Sequence, residues 1–379
     1  MRKRFRDFAL EVYFSTWEFT ARYNLTGSDA ENWRLPEILA MASQEDLADF
    51  DTIGLGYTEV YGAPALRNAI AATYGTVTPE HLMTFAGAQE AIYVVHQVLL
   101  EETDHVIVVT PNYQSAESIP LTICDVTGVA LDIDRNWALD VDQIARAIRP
   151  NTKLISINFP NNPTGAIIPR ASLDAIVELC RTHGIWLFSD EVYRLIERDP
   201  ASRLPQAVDL YERAISLNVM SKAYGLPGLR VGWVACKDRW MLGRFERYKH
   251  YLSICNSAPS EVLARIALKN ADKILARNRE IVEQNAGHLA QFFGEHRDLF
   301  DWRQPDGGCV GFIRYTGADG VEAFTKRLVE EASVLFLPSS IYRSELGPVP
   351  QDCMRVGFGH RNLPEGLTAL RNWMKRNTA

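Results

Sequence analysis

A lysine and an arginine stand eight residues apart in SKAYGLPGLRVGW, Ser221 to Trp233. The residues around Lys222 are apolar or turn-forming, and a bare ammonium is costly to bury in such company. One resolution is that the amine is covalently engaged and carries no free charge. Four earlier stretches carry further candidate groups. In AGAQEAIYVVHQVLL a glycine turn opens a helix whose first amides, at Gly87, Ala88 and Gln89, are free to bind an anion such as phosphate, although such a turn can equally be only a turn. In PNY, Tyr113 can stack on a planar ligand or pack half-buried in a wall. In PNNPTG two prolines and a glycine fix a tight loop that aims the amide of Asn162, or makes a plain turn. SDEVY closes an apolar run with Asp190 and Glu191; there an acid needs a cationic partner, unless Ser189 or Asp190 serves as the N-cap of a following helix.

These groups must be held by something rigid. HVIVVTP, KLISINFP, GIWLFSDE, RAISLNVMS and RVGWVACK are short runs rich in Val, Ile and aromatic residues, and they read as strands buried on both faces. Between them lie segments of helical period. PRASLDAIVELCRTHG opens after a proline and closes on a glycine cap. Strands alternating with helices predict an α/β fold with a mostly parallel sheet wrapped by helices. Open sheets of this kind collect ligands at the carboxyl ends of their strands. All five stretches fall at successive strand ends, in order, which argues for one site rather than five coincidences. The last part of the chain differs. A charged helical stretch from about Pro259 to His296 precedes three strand-like runs, GGCVGFIRY, SVLFLPSS and CMRVGFG, which predict a smaller α+β unit. The first fifty residues show mixed helical patterns and no strand series.

The chain has 379 residues, enough for one large and one smaller domain. Hydrophobic residues make up 47% and charged residues 23%, as in an ordinary globular protein. A net charge of -7 argues against nucleic acid as a partner. None of the six cysteines forms a C-x-x-C pair or stands near a histidine in metal-ligand spacing, so no metal site is expected. They read as buried apolar residues of a reducing compartment. The basic start, MRKRFRDFALEVYF, lacks the apolar core of a signal peptide, and no run is long enough to span a bilayer, which points to the cytoplasm.

Taken together, SKAYGLPGLRVGW, NFPNNPTG and FSDEVY resemble, in the right order, three motifs of the class I/II aminotransferases, fold type I enzymes that use pyridoxal 5′-phosphate. The resemblance runs from about Tyr57 to Arg355. It implies a large cofactor-binding domain over residues 50–275, and a small domain made of residues 1–49 and 276–379. Lys222 would form the Schiff base with the cofactor aldehyde and act as the proton-transfer base. Asp190 would pair with the ring nitrogen, Asn162 and Tyr193 with the ring oxygen, and Tyr113 would stack on the ring. Gly87, Ala88, Gln89, Ser221 and Arg230 would bind the phosphate. Tyr57 matches a tyrosine that reaches the phosphate of a neighbouring subunit, which implies a homodimer. Arg355 matches the arginine that clamps the substrate α-carboxylate, with Asn162 beside it. A guanidinium fork suits phosphate and carboxylate alike, which explains arginine at both positions. The pattern is broken at Val219, where many members carry a hydroxyl residue three positions before the lysine.

The activity implied is transfer of the amino group of an L-amino acid to a 2-oxo acid. The alternative is elimination or cyclisation on the same cofactor. YFSTWEFTARYNLTGSDAENWRL and HYLSICNSAPS resemble the subgroup of capreomycidine synthase, which cyclises a hydroxylated arginine derivative. There, Trp17, Arg22, Ser28, Asp29 and Trp33 are the candidates for contact with substrate, or else for domain packing. A cofactor-sensing DNA regulator would need a DNA-binding arm, and the enzyme-like region begins too early for one.

Overall fold

After a first helix (Ala9–Trp17) and a two-residue strand β1 (Tyr23–Asn24), the chain builds a seven-stranded sheet. Its strands are β2 (Leu82–Phe85), β3 (His105–Thr110), β4 (Asp125–Ala130), β5 (Thr152–Asn158), β6 (Trp186–Asp190), β7 (Ala214–Val219) and β8 (Gly232–Cys236). The computed structural model describes residues 4–377. The spatial order is β2-β8-β7-β6-β5-β3-β4. The strands run parallel except β8, which is antiparallel to both of its neighbours. Every residue of β3 is buried, as expected of a largely apolar strand covered on both faces, whereas the more polar β4 takes the sheet edge. The predicted helix forms as Arg170–His183 and ends on Gly184 at φ 66°, a left-handed conformation that glycine adopts without steric cost.

The reversal of β8 decides where the opening motif lies. Val219, the last residue of β7, pairs with Gly232, the first of β8, and Gly232 also pairs with Phe85, the last of β2. The run from Met220 to Val231 is therefore a loop that leaves and re-enters the sheet at one edge. Met220 N–H donates to Val231 O at 2.9 Å and Leu226 N–H to Met220 O at 3.0 Å, which fold it tightly. On the other side Asn158 pairs with Asp190 and Asp190 with Leu217, so the ends of β5, β6 and β7 share that edge.

The helical stretch expected from Pro259 to His296 is two helices, Ala258–Lys269 and Ala271–Glu295, broken at Asn270. Asn270 adopts φ −113° and ψ 25°, and its side-chain amide donates to Ile266 O, the local competition that lets asparagine end a helix. Beyond them lie β9 (Phe300–Asp301), β10 (Val310–Tyr315), β11 (Val334–Leu335), β12 (Leu337–Pro338) and β13 (Cys353–Gly357). SVLFLPSS, expected as one strand, is two. β12 joins an antiparallel sheet of order β12-β13-β10-β9, while β11 pairs in parallel with β1. The amino-terminal segment is thus hydrogen-bonded to the carboxyl-terminal part of the chain. Among the described residues no helix is long and apolar enough to cross a membrane.

That attachment leaves no room at Gly357. Its N–H donates to Leu25 O at 2.8 Å, and a Cβ there would lie 1.9 Å from the Gly27 carbonyl oxygen. Gly357→Ala is expected to destabilise the protein by about 3 kcal/mol, read as a lowered midpoint of thermal unfolding; an unchanged midpoint would contradict the close packing.

Candidate active site

A cavity of about 620 Å³ opens at this sheet edge. Ala88, Gln89, Tyr113, Asn162, Asp190, Tyr193, Ser221, Lys222 and Arg230 all line it. Nine of the expected residues, drawn from five separate loops, therefore meet in one space. Gly87 lies directly under Arg230, and Arg355 lies behind Asn162 and Thr26. Tyr57 does not join them: it is 90% exposed on the chain's surface, beside the exposed Leu55.

Lys222 Nζ donates to Ser28 Oγ at 2.7 Å and stands 5.8 Å from the centre of the Tyr193 ring. Burial lowers its pKa, against the opposing charges of Asp29 and Asp190. Asp190 and Glu191 are adjacent in sequence but face opposite sides, as successive strand residues do. Glu191 accepts from Ala207 N–H and Ser216 Oγ, each at 2.8 Å, away from the cavity. Asp190 faces the cavity and accepts from Val192 N–H at 3.2 Å. Burial raises its carboxyl to about 6, against that hydrogen bond and the Lys222 charge. No helix follows Asp190; residues 192–195 form turns, so the acid is not a helix cap. The Tyr193 hydroxyl donates to Ser28 O at 3.0 Å.

Two guanidinium groups complete the site. Arg230 sits in the left-handed region at φ 53°, after a short 3-10 turn at Pro227–Leu229. Its Nη1 donates to Pro227 O at 3.1 Å, and a Cβ on Gly87 would come within 2.4 Å of its Nη2. Gly87 (φ 91°) opens the helix Ala88–Leu99, so the free amides of that helix and the Arg230 fork converge. Val219 is buried and supplies no hydroxyl there. Arg355 is wholly buried; it donates to Asn162 Oδ1 at 3.1 Å and to Thr26 O, while its Nε has no partner. Among the described residues neither arginine makes an ion pair with an acid. A buried guanidinium short of acceptors is a strong anion receptor. An anion cup, a carboxyl with a raised pKa and a half-buried amine around one cavity form a donor set that fits the phosphate, ring nitrogen and aldehyde carbon of pyridoxal 5′-phosphate.

Of the suspects in the amino-terminal segment, Ser28 and Asp29 line the cavity. Trp17, Arg22 and Trp33 do not: the Arg277 guanidinium lies 3.5 Å from the centre of the Trp33 ring, and Arg22 packs on Tyr23. Several lining residues gave no sequence signal, among them Glu11, Glu18, Thr26 and His360. Asn158 could have been found, because it ends a strand as Asp190 does; its Nδ2 donates to Asp190 O at 3.0 Å and its Oδ1 accepts from Asn162 N–H at 2.9 Å. His360 Nε2 lies 3.1 Å from Asp29 Oδ1. Burial opposes charge on both, but their mutual hydrogen bond prevails, raising the histidine and lowering the acid.

The raised Asp190 pKa has a definite sign in stability. Because the folded-state value of about 6 exceeds the ordinary 3.8, the buried carboxylate costs stability above pH 6 and none below about 4. Asp190→Asn, in protein freed of bound ligand, should gain roughly 1–3 kcal/mol at pH 8, and the gain should fade toward pH 4. Calorimetry across that range checks it; a gain independent of pH would contradict the assignment.

Residues 24–368 match the family model for aminotransferase class I and II. The chain is 26% identical over 366 residues to capreomycidine synthase of Streptomyces vinaceus, covering 95% of this chain and 92% of that one. It is 36% identical over 316 residues to arginine–pyruvate transaminase of Pseudomonas aeruginosa, covering 80% and 77%. Its fold matches the crystal structure of a PLP-dependent aminotransferase from Streptococcus suis with a TM-score of 0.91 at 29% identity, over 99% of each chain. The chain thus belongs to the class I and II aminotransferases, a family of pyridoxal 5′-phosphate enzymes.

Proposed function

We propose that this protein is an aminotransferase that moves the amino group of a cationic L-amino acid to a 2-oxo acid. The observation that carries the reading is one cavity lined by the Lys222 amine and the Asp190 carboxyl, with a buried, under-satisfied Arg355 directly behind its Asn162 and Thr26. When bound, pyridoxal 5′-phosphate supplies the electron sink for the charge left at the substrate α-carbon. In this reading Asp190 holds the ring nitrogen in its protonated form, Asn162 and Tyr193 hold the ring oxygen, and Tyr113 covers a ring face. Gly87, Ala88, Gln89, Ser221 and Arg230 hold the phosphate. Arg355 binds the substrate α-carboxylate through its fork, steadied by Asn162. The Lys222 amine, which burial makes easier to hold unprotonated, takes the α-proton and returns it one step later.

The side-chain end of the cavity supports a positively charged substrate. Glu11, Glu18 and Asp29 line it, and among the described residues only Asp29 of these makes an ion pair, with His360. Burial and the neighbouring charges of Glu11 and Asp29 raise the Glu18 carboxyl, a repulsion that a substrate cation relieves. The similarity to a relative named for transamination of arginine supports the same choice. We also read residues 50–275 as the cofactor-binding unit and residues 1–49 with 276–379 as the smaller one. The protein is taken as a cytoplasmic homodimer in which the exposed Tyr57 serves the partner's site; its cysteines are all free thiols.

A second reading, cyclisation or elimination, is favoured by the match to capreomycidine synthase, which extends over more of the chain than the transaminase match. Mixing loaded enzyme, without a 2-oxo acid, with L-arginine and separately with a hydroxylated L-arginine that can expel water distinguishes them. Transamination yields one equivalent of the 2-oxo product per active site and no ammonia; ammonia release or a cyclised product overturns it. Glu18→Gln should lower kcat/KM for L-arginine roughly tenfold relative to that for L-norleucine, the worth of one charge-assisted contact. An unaltered ratio would remove Glu18 from substrate recognition.

A further inference from the structure

Lys249 is a fully buried lysine outside the cavity. It ends the helix Arg239–Lys249, and its Nζ donates to Thr84 O at 2.7 Å, Val60 O at 2.8 Å and Asn256 Oδ1 at 3.1 Å. Burial lowers its pKa to about 8, so at neutral pH it is an ammonium with three donors for three acceptors. Asn256, 5% exposed, turns its Nδ2 the other way, to Phe85 O at 2.7 Å and Arg230 O at 3.3 Å. Its own carbonyl accepts from Thr58 Oγ1 at 3.0 Å.

Those acceptors are not scattered. Phe85 is the last residue of β2, two before Gly87, and Arg230 stands two before the start of β8. One amide therefore ties together the two backbones that carry the anion cup, just where their regular pairing ends at Phe85 and Gly232. β2 is an edge strand with no further strand to accept from or donate to; Lys249 occupies its Thr84 carbonyl and links it to the segment carrying Thr58 and Val60. Arg230 is a non-glycine residue in the left-handed region, which costs about 1 kcal/mol and persists only when its surroundings hold it there. The cup also gets no hydroxyl from Val219, so it depends on the distance between the helix amides and the Arg230 fork.

We propose that Asn256, anchored by Lys249, is the positioning residue of the phosphate cup, setting the separation of the Gly87 turn from Arg230. The proposal rests on the reading of that cup as the phosphate site. Binding of pyridoxal 5′-phosphate and of pyridoxal, which lacks the phosphate, to ligand-free protein tests it. For Asn256→Ala the Kd for pyridoxal 5′-phosphate should rise tenfold or more while that for pyridoxal changes less than twofold. Asn256→Ser, able to donate to one of the two carbonyls, should fall between, and it carries the test if the alanine variant does not fold. Lys249→Met should shift the ratio in the same direction. Equal weakening toward both ligands would make Asn256 a general structural residue and overturn the proposal. So would an unchanged preference for the phosphorylated form in Asn256→Ala. If the unaltered protein itself binds both compounds equally, the phosphate reading of the cup fails instead.

Discussion

Three ionisable groups, the half-buried Lys222 amine and Asp190 carboxyl and the wholly buried Arg355 guanidinium, are partly or fully withheld from bulk water without enough partners to neutralise them. That is a standing cost in folding free energy, and the architecture is organised around bearing it. A parallel sheet whose strands are buried on both faces provides a rigid edge at which polar residues can project from apolar strands. Asn158 and Asp190 are paired residues of adjacent strands, so their relative position is set by sheet register rather than by loop conformation. The one antiparallel strand brings the chain back to that edge, and Lys222 and Arg230 become neighbours of one cavity.

The anion end is built differently from the amine end. Helix amides, a positive-φ glycine and a left-handed arginine make a backbone-defined receptor, in which shape is the main variable. The amine end is defined by side chains. Lys222, Tyr193 and Arg355 each bond to the stretch Thr26–Ser28, which reaches over them from far away in sequence. Electrostatics follows that division: the cup collects positive potential, while Glu11, Glu18 and Asp29 place negative charge at the far wall.

The strand-end residues of the cavity were legible in the sequence because each ends or follows an apolar strand, and strand ends announce themselves through abrupt polarity. Asp190, Lys222 and Asn162 each sit at such a break. Asn158 ends its strand just as Asp190 does, but an uncharged amide there makes a weaker break in polarity than an acid. The acidic lining of the cavity was not legible. Glu11 and Glu18 lie on or just beyond a short amphipathic helix, and nothing in its pattern separates a carboxylate facing a cavity from one facing water. His360 becomes informative only once β13 is known to run beside Gly27. Among the five suspects in the amino-terminal segment, Ser28 and Asp29 differ from Trp17, Arg22 and Trp33 by the path of the backbone, which residue type does not reveal. Asn270, a plain helical position by pattern, ends one helix and begins another because its side chain bonds backward.

The attachment of Thr26 to Ser28 across the site has a consequence for how such a protein can change. One short linear segment supplies the partner of the Lys222 amine, of the Tyr193 phenol and of the Arg355 guanidinium, and the next residue, Asp29, belongs to the acidic lining. Its placement is fixed by contacts to β13 at Gly357, outside the large sheet. New substrate preference can therefore be acquired by exchanging a single stretch of chain while the strand ends stay untouched. Recombination near the amino terminus would be a more direct route to new specificity than point changes spread over five loops.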